Sequence, residues 1–136
     1  MYNFRKSKKG FSLIELMVVV AIIGVLALLG LRLYTGQQEK AKNAVVKANC
    51  GTIQTLIQAD LADMTVAEVT TACAGPLFVA SGIRNPYSGA AQVAPAITEG
   101  SVNTTVAGNI FTITCYGKGA VLIPNYTLKA QLKNLF

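Results

Sequence analysis

The sequence has no histidine among its 136 residues, which removes the commonest general base and the commonest metal ligand together. Carboxylates are scarce as well: there are six acidic residues, and beyond Glu68 only Glu99 remains. Asp60 and Asp63 lie one turn apart in a helical pattern and fit a solvated face better than a catalytic pair. With so few parts, neither an enzyme, a metal site nor a cofactor is expected. Charged residues make up only 13% of the chain, and the three cysteines are odd in number, so one must stay free or pair elsewhere. Aromatics, at 7% and without a dense cluster, give no support to electron conduction along the chain.

Apolar residues, by contrast, reach 52% and are concentrated in one run. Residues 11–31 read FSLIELMVVVAIIGVLALLGL, with Glu15 the only charge. At about 1.5 Å per residue such a helix is roughly 31 Å long, enough to cross the hydrocarbon core of a bilayer. Arg5, Lys6, Lys8 and Lys9 precede it, which keeps the N-terminus cytoplasmic and sends the rest of the chain across. A cleaved secretory signal peptide is the competing reading. It fits less well, because the run is long for a signal, no A-x-A pattern follows and the helical pattern continues without a break. The basic leader also explains most of the formal charge of +6: without the first ten residues, eight basic and six acidic residues leave +2. Bulk charge therefore gives no case for nucleic acid as a partner. A local patch for DNA uptake would draw on Arg84, Lys118, Lys129 and Lys133, but the pattern fits scattered solvated side chains better.

A carboxylate inside an apolar span is costly and marks a functional residue by default; the bland alternative is a Glu that reaches back to the headgroups. The neighbours of Glu15 decide between them. KKG-FSLIE, residues 8–15, closely resembles the processing site of type IV prepilins. The resemblance implies a membrane peptidase that cuts after Gly10, methylation of the new amine on Phe11, and Glu15 in the fifth mature position. The short basic leader resembles the type a branch. The match is strong over residues 5–31 and only architectural beyond. It implies the pilin fold: an α+β domain in which a long N-terminal helix, membrane-spanning in its first half, packs on a C-terminal antiparallel sheet. Pilins commonly carry a proline where this chain has Arg32, so the site of any helix melting is expected between Gly24 and Gly30, two of the glycines that weaken the helix. Close packing is the alternative use of these glycines.

The motif also makes chemical sense. Gly10 lets a backbone lie close in a protease cleft. The amine exposed on Phe11 would pair with Glu15 of a neighbouring subunit. Apolar packing tolerates slippage, whereas an unpaired buried carboxylate does not, so the pair would act as a register device.

Beyond Gln37 the helical pattern becomes amphipathic, with Val46, Cys50, Ile53, Ile57, Leu61 and Met64 forming one stripe. Thr65-Val-Ala-Glu68 fits a capping box that opens a short second helix. The alternation in 110–116, with Phe111, Ile113 and Cys115 on one face, predicts a strand. Glycine-containing turns flank it, and 102–107 and 120–123 are its expected neighbours. Leu128, Leu132 and Leu135 fit either a terminal helical turn or a last strand. The chain thus divides into a leader at 1–10, a long helix at 11–64 and a globular part at 65–136. The resemblance places this part beyond the membrane, where a disulfide is favoured. A helix on a sheet holds facing Cα atoms near or beyond the limit of about 7 Å, so Cys50–Cys73 is expected, with Cys73–Cys115 as the alternative. Three buried free thiols are the remaining reading.

The expected role is structural: a major pilin, homopolymerised into an extracellular filament for adhesion, motility or DNA uptake. Its partners would be the prepilin peptidase, an inner-membrane assembly platform, the membrane before assembly and other copies of itself. The precursor would sit in the inner membrane and the assembled subunit in an extracellular pilus. Two alternatives differ in function. A type II secretion pseudopilin is similar at the N-terminus and around Asn85-Pro86-Tyr87, but the acidic calcium ligands of that family are missing here, and Asn85-Pro86 is better taken as a turn. A minor pilin would instead carry a DNA or receptor site at the tip. Asn103-Thr-Thr105 also matches an N-glycosylation acceptor, a weak pattern.

Overall fold

A computed structural model of the chain describes residues 10–131, without the side chains of 124–129. Arg5, Lys6, Lys8 and Lys9 of the expected leader lie outside the described residues, as do Leu132, Lys133 and Leu135. The chain divides into two compact units, Met1–Gln37 and Gln38–Phe136. One helix, α1, runs from Leu13 to Asp63 and contributes to both.

Within the first unit α1 is apolar on every face, and no residue from Gly10 to Gln37 is buried. Its most apolar 18-residue window has a mean hydropathy of 2.8, so α1 is long and apolar enough to cross a membrane.

In the second unit α1 keeps a single apolar stripe. Val46, Cys50, Ile53, Ile57 and Leu61, spaced three or four residues apart, are all buried. Met64, expected to extend that stripe, is 47% exposed, because the helix ends at Asp63 before its side chain can face the core. Helix α2, Val66–Cys73, opens with the expected capping box: the Thr65 hydroxyl accepts from Glu68 N–H, and the Glu68 carboxylate accepts from Thr65 N–H. Helix α3, Pro76–Ser81, starts on a proline, whose missing N–H has no helical partner to lose there, and stops at Gly82 with φ 64°.

The sheet contains β1 (Val102–Ala107), β2 (Ile110–Tyr116) and β3 (Leu122–Gln131), antiparallel in the order β1-β2-β3. Alternation in β2 buries Phe111, Ile113 and Cys115 and leaves Thr112 and Thr114 half-buried on the other face. Strand β3 is longer than the expected 120–123 and includes Leu128, which settles that residue as strand rather than helix. Residues 118–120 form a 3-10 turn instead. The pairing of β2 with β3 shifts register between Thr114 and Tyr116, opposite the stretch that holds Pro124, a residue with no N–H for the ladder. Phe78, Phe111, Ile53, Ile57 and Ile113 are the largest fully buried side chains, so the core lies between the stripe of α1, helices α2 and α3, and the sheet.

The disulfide corrects the expectation. Cys50 is bonded to Cys115, with Cα atoms 6.3 Å apart, and Cys73 is a buried free thiol, so neither Cys50–Cys73 nor Cys73–Cys115 forms. The spacing of a helix over a sheet is set by the side chains at the contact. Where two small cysteines meet, the backbones approach within disulfide reach, which the general distance for larger side chains had ruled out.

Between α3 and β1 the chain has no regular structure and is held by side chains. The Asn85 side-chain Oδ1 accepts from Tyr87 N–H at 2.8 Å and Ser88 N–H at 3.2 Å, which makes the expected Asn85-Pro86 turn. The side chain of Gln92 accepts from Val102 N–H at 3.0 Å and donates to Val102 O, so an amide side chain pairs with the start of β1 as a strand would. Buried Ser101 donates to the carbonyls of Ala96 and Thr98 and accepts from Thr98 N–H. Gly100 has φ 75°, and a Cβ there would collide with the Asn85 and Tyr87 side chains.

Candidate functional site

Gly10, Phe11 and Ser12 precede the helix, and α1 begins at Leu13. Its first backbone hydrogen bond runs from Leu16 N–H to Ser12 O at 3.2 Å, which makes Ser12 the N-cap. The Ser12 hydroxyl accepts from Glu15 N–H at 3.3 Å, and Ser12 N–H donates to Glu15 Oε2 at 2.8 Å. This is a second capping box, built on S-x-x-E just as Thr65–Glu68 is built on T-x-x-E. Sequence reasoning singled out Glu15 for its charge and missed Ser12, although the spacing of the two was the available signal. Glu15 is thus not an isolated carboxylate: before any partner arrives, it satisfies a donor that the helix end would otherwise leave free.

Around this cap the surface is apolar. Phe11, Ile14, Glu15, Val18 and Val19 line one shallow groove, with the carboxylate as its polar member. Helical spacing explains the set, since residues three, four and seven apart share a face. The Phe11 nitrogen is an amide in this chain, so among the described residues that line the groove there is a carboxylate and no cation. Gly10 is exposed, and a Cβ there would meet nothing within 4 Å among the described residues, so packing against them does not call for glycine at this position.

The other expected residues are elsewhere. Arg84 Nη1 donates to Gly89 O at 3.3 Å inside its own turn, and Lys118 Nζ lies 3.3 Å from Glu39 Oε2 in an exposed ion pair. Two members of the suggested basic patch are therefore engaged locally, Lys133 lies outside the described residues, and the side chain of Lys129 is not described. Asn103 lies on β1, half-buried, with its backbone oxygen facing the Thr114 hydroxyl at 3.5 Å. Asn43 ties α1 to the Asn85 turn by accepting from the Tyr87 hydroxyl at 2.9 Å, while Lys42 sits 5.0 Å from the centroid of the same ring. Burial, and then the nearby carboxylates of Glu39 and Glu99, raise the pKa of the Tyr87 phenol above its usual value.

Among the comparisons with known proteins, the match to a family model falls on the same N-terminal stretch. A family model described as the prokaryotic N-terminal methylation motif matches residues 5–31. Fimbrial protein EcpB of Eikenella corrodens is 46% identical over 55 residues, covering 40% of this chain and 35% of the relative. A type IV major fimbrial protein, FimA of Dichelobacter nodosus, is 41% identical over 56 residues, covering 41% of this chain and 36% of the relative. Fimbrial protein EcpC of Eikenella corrodens is 29% identical over 102 residues, 75% of this chain and 65% of the relative. The chain thus spans little more than a third of the length of the first two relatives. No solved structure matches it.

Proposed function

We propose that this chain, which its methylation motif and fimbrial relatives support as a type IV pilin, is the major subunit of a type IV pilus. In this reading it is inserted in the inner membrane, cut after Gly10 by a prepilin peptidase, methylated on the Phe11 amine and passed by an assembly platform into an extracellular homopolymer. The filament would serve adhesion, motility or DNA uptake. One observation carries the reading: the stretch of α1 that is apolar all round, residues 13–37, has a single carboxylate, Glu15, placed in the first turn beside the bond to be cut. Lipid would cover such a helix before assembly, and copies of the same helix would cover it afterwards.

Cleavage changes the charge of that helix end. It turns the Phe11 amide into an ammonium close to Glu15, and an ammonium on one subunit can neutralise the carboxylate of the next. A carboxylate moved into an apolar bundle without a cation would cost several kcal/mol, so misaligned neighbours would be rejected. The test is mass spectrometry of filaments sheared from cells that express the chain. The expected product begins at methylated Phe11, contains the Cys50–Cys115 bond and dominates the filament protein. A filament subunit beginning at Met1 or beyond Leu31, or absence of the chain from the filaments, would overturn the proposal. Glu15→Gln should leave the precursor cleavable while reducing filament yield at least tenfold; unchanged yield would remove the register role.

A further inference from the structure

Resting on the cleavage proposed above, we infer that Ser12 is a positioning residue for that cleavage, because its capping box with Glu15 starts the helix immediately after the Gly10–Phe11 bond. The geometry is specific. Ser12 N–H donates to Glu15 Oε2 at 2.8 Å, as the N-cap of a capping box does. Its hydroxyl holds Glu15 N–H at 3.3 Å. Helical backbone therefore begins at Leu13 and leaves Gly10 and Phe11 outside it. A protease cleft takes extended backbone, whose N–H and C=O groups are free to pair with the cleft. A peptide bond inside a helix has both groups occupied and must first unwind.

The cap matters more here than at an ordinary helix end. At the edge of an apolar span, N–H groups that lose a side-chain partner find little water to replace it. A helix without its cap satisfies them by winding back through Phe11 and Gly10, and the bond to be cut is then enclosed. Glu15 acts twice in this scheme: it fixes the helix start in the precursor, and it is available to a cation once the bond is cut. Thr65 and Glu68 form the same box where no cut is proposed, which supplies an internal control.

The experiment uses full-length precursor in detergent or membranes, incubated with a prepilin peptidase, with the appearance of the Phe11 N-terminus followed over time. Ser12→Ala should slow cleavage roughly five-fold, the effect of one N-cap on the fraction of molecules that expose the bond. Ser12→Thr and Ser12→Asn, which share capping ability but not shape, should restore it. Amide hydrogen exchange should show Phe11 more protected in Ser12→Ala than in the wild type. Thr65→Ala should leave the rate unchanged, which separates capping at the cut from general weakening of the chain. Cleavage of Ser12→Ala at the wild-type rate would overturn the inference. So would Thr and Asn variants as slow as Ala, which would mean that the peptidase reads serine directly. If the wild-type precursor itself is not cut after Gly10, the proposed processing fails instead, so the two failures are distinct.

Discussion

Residues 13–37 and 38–63 belong to one helix, yet they use apolar side chains in opposite ways. In the first stretch apolar residues occupy every face and none is buried; in the second they fall on one stripe, and five are buried. A stripe fixes which side of a helix meets a core that the same chain supplies. A helix apolar all round has no such side, so its solvent must come from outside the chain. Continuous hydrogen bonding therefore says little about function here. The distribution of apolar residues around the axis separates a segment that folds within the chain from one that needs lipid or other copies.

The largest expected effect concerns the disulfide, which acts on the second stretch alone. Cys50–Cys115 closes a separation of 65 residues, so reducing it should lower the unfolding free energy of the globular unit by about 4 kcal/mol. The measurement is urea unfolding of the full chain in detergent with and without reductant, followed by tyrosine fluorescence for the core and far-UV circular dichroism for the helix. Helicity from the first stretch should survive after the globular unit unfolds. Its loss in the same transition would show one cooperative unit and break the comparison.

Replacing the same residue type in each stretch sharpens it further. Ile53 is fully buried, whereas Ile23 is 59% exposed. Ile53→Ala should destabilise the globular unit by about 3 kcal/mol, through lost transfer energy and the cavity left behind. Ile23→Ala should leave that transition within about 0.5 kcal/mol of the wild type. Comparable losses would mean that the apolar half also supports the core.

What the sequence made legible follows the same division. In the N-terminal stretch the uninterrupted apolar run and the lone carboxylate are local signals, and the long apolar helix and the methylation-motif match over residues 5–31 agree with them. The cut after Gly10 and the pairing of Phe11 with Glu15 are proposals. The buried stripe, the box at Thr65 and the alternation of β2 were equally local, and the structure has all three. The disulfide was misjudged because the distance between α1 and β2 depends on which side chains meet, and no spacing along the chain reports that. The connection from Ile83 to Ser101 was legible only at Asn85-Pro86. The roles of Gln92 and Ser101 depend on backbone groups brought near them by the fold, so neither residue type nor neighbours announce them. Ser12 was different: its signal was present, but the charge of Glu15 drew attention to function before the cap.

Cys73 gives a smaller effect, read as a rate. Burial, helped by the negative charge of Asp60, pushes its thiol up to about 11 from the usual 9.0. At pH 8 the thiolate fraction is then roughly a hundredfold lower than in unfolded chain, so alkylation of the native protein should be slower by at least about that factor. Rapid labelling would show that the core opens at the end of α2. The same shift sets a sign for stability. Between pH 9 and 11 the unfolded thiol gives up its proton more readily than the folded one, so stability should fall as pH rises through that window.

The smallest effect compares the two capping boxes. Thr65→Ala removes a hydroxyl that accepts from Glu68 N–H at 3.4 Å and donates to Glu68 Oε2 at 2.7 Å, and should lower stability by about 1 kcal/mol. It leaves the 2.8 Å bond from Thr65 N–H to the carboxylate. That backbone bond is the larger cause of the lowered pKa of Glu68, with the hydroxyl second. A lowered folded pKa means that the unfolded carboxylate binds more protons in the acid range. The contribution is therefore complete above the usual carboxylate pKa of 4.5 and is lost as pH falls through the folded value. Thr65→Ala should flatten this acid dependence only in part, whereas Glu68→Gln should abolish it. Equal flattening by both would assign the effect to the hydroxyl and reverse the order of the two causes. At Ser12 the same substitution should leave urea unfolding of the globular unit unchanged and appear only in processing, because that cap serves the stretch that has no core of its own.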